Sequence, residues 1–165
     1  AESRNNRSSN VINELERFVE QLPQQFKLDD YAIIAIPENV SQGTMTGKWQ
    51  YPADSIGIHK MLGTEAINFA GPKETTISDT YIDRRSVDFW AGAYWVLCLA
   101  LMPVMTQVLS SFIFDTLKKN VSSASTVHLT LYLDKGNISK LEFHGDPNML
   151  IKILKTLGGE RRDTE

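Results

Sequence analysis

Between Phe89 and Phe114 the chain reads FWAGAYWVLCLALMPVMTQVLSSFIF, without one charged residue. No other stretch restricts the fold as strongly. Its mostly apolar part, Phe89 to Met105, approaches the roughly 17–25 residues a helix needs to cross a bilayer. Arg84, Arg85 and Asp88 precede it and Asp115, Lys118 and Lys119 follow it. Phe89, Trp90, Tyr94 and Trp95 gather at its start, where amphipathic rings would sit at a headgroup layer. A window of about 19 residues from Val96 passes the usual hydropathy threshold for a membrane helix, and the window from Phe89 is borderline. Basic residues balance on the two sides, so they do not orient a span.

The same run also suits a helix buried at the centre of one domain, which is apolar all round. Gln107, Ser110, Ser111 and Lys118 then form one weakly polar face. Pro103 would kink the helix in either setting. Both readings place one long apolar helix over about 88–119, and the residues expected to face lipid or core are Phe89, Trp90, Trp95, Leu99, Pro103, Gln107 and Phe112.

With 165 residues and a net charge of −3, the chain is one domain or two very small ones, and neither sign of charge is concentrated. That argues against nucleic acid as a partner, since neutralising phosphates needs a basic patch. Lysines and arginines from Lys118 to Arg162 read as a solvated surface, or as attraction to anionic headgroups beside a membrane helix. Cys98 is the single cysteine, so no intrachain disulfide forms, and inside the apolar run it reads as a small buried hydrophobe.

Around the central run the pattern is α+β. Residues 1–8 are polar and aperiodic and read as a disordered tail. Ser9 or Asn10 can cap an amphipathic helix with Val11, Ile12, Leu15, Phe18, Val19 and Leu22 on one face, ending at Pro23. Tyr31 to Pro37 is a continuous apolar strand of the kind covered on both faces. Thr46 to Tyr51 is a weak strand, and Trp49 and Tyr51 suit a minor core better than a ligand stack. A helix follows from Ile56, and Lys73 to Arg85 is a loop or holds a short strand at Thr76 to Ile82. Thr126 to Leu133 alternates, with Val127, Leu129, Leu131 and Leu133 against His128, Thr130 and Tyr132. The turn at Asp134–Asn137 and the apolar Ile138, Leu141 and Phe143 complete a β-hairpin. Asp146 and Pro147 start a last helix that Gly158-Gly159 ends. The expected organisation is a tail at 1–8, an α+β part at 9–85, the long helix at 86–119, hairpin plus helix at 126–158 and a tail at 159–165.

Chemistry is sparse. The chain holds no phosphate-binding loop, GxGxxG, HExxH, GxSxG or CxxC. His128 and His144 fall on the two strands of one hairpin and can approach each other; Asp134 or Asp146 would complete a metal or acid–base site. The simpler reading is solvent-facing strand histidines. His59 sits beside Lys60 without an evident partner, and the charged cluster at 79–88 reads as a solvated flank. The polar candidates are therefore His59, His128 and His144, with no catalytic, cofactor or metal residue assigned and no cofactor expected.

Two functions follow as expectations. The first is a non-enzymatic accessory subunit or adaptor, anchored in a membrane through 89–114 and docking on other protein subunits. The chain starts at Ala1 with no apolar leader, which suits either a trimmed chain or a mature one, in an organellar compartment, after removal of a targeting peptide. The alternative is a soluble α+β domain built around a buried apolar helix, with ligand-binding or unrecognised enzymatic activity.

Overall fold

The computed structural model describes residues 2–40, 49–65, 68–75, 79–83, 88–119, 126–134 and 136–157. The first helix, α1 (Glu2–Glu20), buries Val11, Leu15 and Phe18 along one stripe, as their spacing predicts. It starts at Glu2, ahead of the cap read at Ser9 or Asn10; no Gly or Pro before Val11 stops a helix from propagating back. Strand β1 (Ile33–Ile36) is buried at all four positions, which is why its sequence does not alternate. Next come β2 (Trp49–Pro52), α2 (Ile56–Thr64), β3 (Phe69–Ala70), the single turn α3 (Pro72–Thr75) and β4 (Asp79–Ile82).

The apolar run divides in two, and the expected helix over 88–119 is present only in its second part. Phe89–Val96 is a strand, β5, and the helix α4 spans Met102–Lys119 after a 3-10 turn at Leu99–Leu101. The physical reason lies in the residues. Phe, Trp, Tyr and Val prefer a pleated, packed surface, whereas the residues from Met102 onward carry helix formers and a helical stripe of buried Met105, Val108, Leu109 and Ile113. Pro103 is the second residue of α4, inside the first turn where its missing N–H costs nothing, so it starts the helix and does not kink it. Among the described residues no helix is long and apolar enough to cross a membrane. This overturns the transmembrane reading, and with it the membrane-anchored adaptor and the membrane localisation. Cys98, expected to be buried, is exposed at the joint between β5 and the 3-10 turn.

The hairpin and last helix lie where the sequence puts them: β6 (Val127–Asp134), β7 (Ile138–Gly145) and α5 (Pro147–Leu157). The fold is α+β, with a five-stranded mixed sheet in the order β3-β1-β5-β6-β7 and a separate parallel pair, β2-β4. Strand β5 is antiparallel to β1 and parallel to β6, so α4 is the crossover that a parallel pair requires. Helix α2 brings His59 to the Tyr94 ring and packs on α4, and Thr106 Oγ1 of α4 donates to the Leu154 carbonyl of α5 at 3.2 Å. These helices cover one face of the sheet. A Cβ on Gly57 would lie 2.5 Å from Phe112, so the absence of a side chain there is what lets α2 approach α4. On the opposite face α1 covers only part of the sheet, through Glu14 over Tyr132 and Lys140.

Candidate functional site

The part of that second face left open among the described residues is where polar chemistry collects. The register writes it as a grid. Trp90, His128 and His144 form one row across β5, β6 and β7; Ala93, Thr130 and Glu142 form the next; Trp95, Tyr132 and Lys140 form the third. Strict alternation would put Trp90 on the face opposite Ala93 and Trp95. A bulge between Trp90 and Gly92 reverses the parity, and Gly92 takes φ +93°, a left-handed conformation that glycine adopts without a Cβ penalty. The bulge therefore turns Trp90 onto the histidine row. The Asp54 carboxylate accepts from the Trp90 backbone N–H at 3.0 Å and pins the start of the strand.

Within the row the contacts are close. The Trp90 and His128 rings stack at 3.8 Å with planes 13° apart. His128 Nε2 lies 3.0 Å from Asp88 Oδ2, and its Nδ1 lies 2.6 Å from His144 Nδ1. A carboxylate only accepts, so Nε2 carries the proton that bonds to Asp88. In neutral His128 the Nδ1 is then a lone pair, and His144 Nδ1–H is the donor to it. The hydrogen bond from His128, helped by the Thr126 backbone, holds the Asp88 carboxyl below its usual range, in keeping with an ionised acceptor. His128 is half-buried and His144 is exposed, so the chain of three groups runs from the strand start to solvent.

A cleft of about 290 Å³ opens over this surface, walled by Pro37, Glu38 and Val40 on one side and by Glu14 of α1 on another. At its far end Lys140 Nζ bonds to Glu14 Oε2 at 3.2 Å and to Glu142 Oε1 at 2.9 Å, and the Tyr132 hydroxyl donates to Glu14 at 2.9 Å. Burial alone would push the Lys140 ammonium down, but Glu142 and Glu14 outweigh it and hold it up. Lys140 in turn holds Glu142 low. Burial, then the charge of Glu14, pushes the Tyr132 phenol far above its ordinary value, so it stays a neutral donor. One end of the cleft is thus a fixed ion-pair network, and the other is a stacked, hydrogen-bonded histidine pair.

Of the three histidines named from sequence, the structure joins His128 and His144 and places His59 elsewhere. His59 is buried under the opposite face among Tyr51, Phe69, Tyr81 and Tyr94, with Nδ1 2.9 Å from the Tyr81 hydroxyl. Burial pushes its imidazole down to about 4. Neither Asp134 nor Asp146 reaches the histidine pair: Asp134 accepts from the Gly136 N–H and Asp146 from the Asn148 N–H, closing the two turns. The carboxylate is Asp88, from the 79–88 cluster that reads as a solvated flank; Arg84 and Arg85 of that cluster lie outside the described residues.

The residues expected to face lipid or core from the apolar run are scattered. Phe89 and Trp95 are buried in β5, Trp90 lines the cleft, Leu99 and Gln107 are exposed, Pro103 opens α4, and Phe112 packs toward Gly57. Asp88 and Trp90 were beyond sequence reasoning because their contact with His128 needs a parallel pairing across about 40 residues. Among the described residues no three His, Cys, Asp or Glu side chains are arranged to hold a metal ion. Compared with protein-family models, with curated proteins and with solved structures, the chain matches none.

Proposed function

We propose that this chain binds a small polar molecule in the cleft over β5, β6 and β7, and that the Asp88–His128–His144 series exchanges a proton with it. The observation that supports this reading is the series itself. A base oriented by a hydrogen-bonded carboxylate, backed by a stacked ring and ending at an exposed nitrogen over an open cavity, is the arrangement general acid–base chemistry uses. A histidine on a strand merely facing water needs neither the Asp88 partner nor the Trp90 stack. His144 is the group that meets the ligand, His128 passes the proton, and Asp88 positions His128. Tyr132, Lys140 and the two glutamates supply fixed polar contacts at the other end.

The test is a fragment screen by NMR in the presence of a chelator, followed on the Trp90 indole and histidine ring signals. Fragments bearing a hydroxyl or amine are expected to shift Trp90, His128 and His144 together, and His144→Ala is expected to weaken them about tenfold, one lost hydrogen bond. Hits that scatter over other surfaces, or that ignore His144→Ala, would contradict the reading.

A further inference from the structure

The histidine row carries a second consequence. Two Nδ1 atoms that face each other can both present lone pairs only if a cation stands between them. In the metal-free protein that place is taken by one proton. We propose that the His128–His144 pair is also a chelate for a borderline divalent transition metal of the Cu(II) or Zn(II) class, bound through both Nδ1 atoms and completed by water.

Four features of the structure support it. The two histidines are directly opposite on paired antiparallel strands, so the backbone holds them in register without loop freedom. Asp88 takes the His128 Nε2–H, leaving Nδ1 as the ligand atom, which is the carboxylate–histidine pairing that orients metal-bound imidazoles. Trp90 stacked on His128 fixes the ring plane. Glu142 stands two residues along β7 on the same face, and the network it forms with Glu14 and Lys140 carries one negative charge in excess, which offsets that of the ion. Ligand bonds of about 2.0–2.1 Å place two nitrogens on the order of 3 Å apart. The observed 2.6 Å must therefore open by a few tenths, which the exposed His144 side chain allows. Imidazole donors select copper, zinc and nickel over magnesium and calcium. Two protein nitrogens plus water are fewer ligands than a closed structural site has, so the ion is exchangeable.

Trp90 reports on the site directly. Chelator-treated full-length chain is titrated with Cu(II) while tryptophan emission is recorded, with Trp90→Phe identifying the share that comes from Trp90 and Zn(II) titrated in parallel by following histidine ring nitrogens. One-to-one binding with quenching of the Trp90 share is expected. His144→Ala is expected to abolish it, and Asp88→Asn to weaken it by about 10–100-fold, the usual loss when an outer partner is removed. Circular dichroism of each variant confirms that β7 and the sheet persist. Quenching that is absent in the wild type, or that survives His144→Ala, overturns the inference. It rests on the cleft described above, yet the two fail separately. Fragments that bind in chelator while Cu(II) does not overturn the metal alone, and Cu(II) bound without any fragment binding overturns the ligand reading alone.

Discussion

Replacing Trp49 with alanine is expected to destabilise the fold by about 3–5 kcal/mol, the range for removing a buried aromatic side chain. Trp49 is fully buried and its ring meets Phe18 of α1 at 5.6 Å, tilted by 60°. The contact ties α1 to β2, and α1 in turn carries Glu14 over the cleft. Loss of the indole leaves a void beside Phe18, because Phe18, Leu15 and Val11 are already buried and offer little room to collapse inward. Urea unfolding measures the loss as a fall in midpoint. A Trp49 that stacked on a ligand would behave in the opposite way, giving an unchanged midpoint. Trp49→Phe is expected to recover most of the stability, since it restores an aromatic partner for Phe18.

Acid is expected to destabilise the protein through His59 before the carboxylates titrate. The folded imidazole is pushed down to about 4 by burial, against 6.5 for the free group. Above 6.5 both folded and unfolded states hold it neutral, and it contributes no pH dependence. Between 6.5 and about 4 the unfolded chain takes up a proton that the folded chain refuses, so stability falls as pH falls. The slope approaches about 1.4 kcal/mol per pH unit, and the accumulated loss near pH 4 is about 3 kcal/mol. Asp88 and Glu142 are held low by their partners, so their contribution is lost as pH falls from the ordinary carboxylate value toward the lowered one. The His59 window therefore opens first, and the two meet only near its acid end. Urea unfolding of wild type and His59→Gln at stepped pH isolates the effect. The midpoint difference is expected to shift in favour of the variant as pH drops below 6.5, and a difference that stays constant would contradict it.

Local pattern was enough for several elements on either side of the apolar run. The Val11–Leu15–Phe18 stripe, the apolar Ile33–Ile36 run and the alternation through Val127–Leu133 each follow from a single element meeting a single core. The middle was not legible in the same way. An uncharged run from Phe89 to Phe114 satisfies a buried strand followed by a helix as well as it satisfies one helix, and only pairing with β1 and β6 selects the former. Pro103 was the usable sign, because a proline suits a first turn far better than a helix centre. The site was half legible. His128 and His144 follow from hairpin register, but Asp88 precedes β5 and Trp90 reaches the row only through a bulge that reverses side-chain parity.

Asp88, His128 and His144 join through two hydrogen bonds, and the chemistry proposed for the cleft depends on that series. Long-range proton–nitrogen correlation of the histidine rings, at about pH 8 where an ordinary imidazole is neutral, reads which nitrogen carries each proton. His128 is expected in the Nε2–H form and His144 in the Nδ1–H form, with both preferences lost in Asp88→Ala. Rapidly averaging tautomers in the wild type, indifferent to Asp88→Ala, would show that the three groups are not joined.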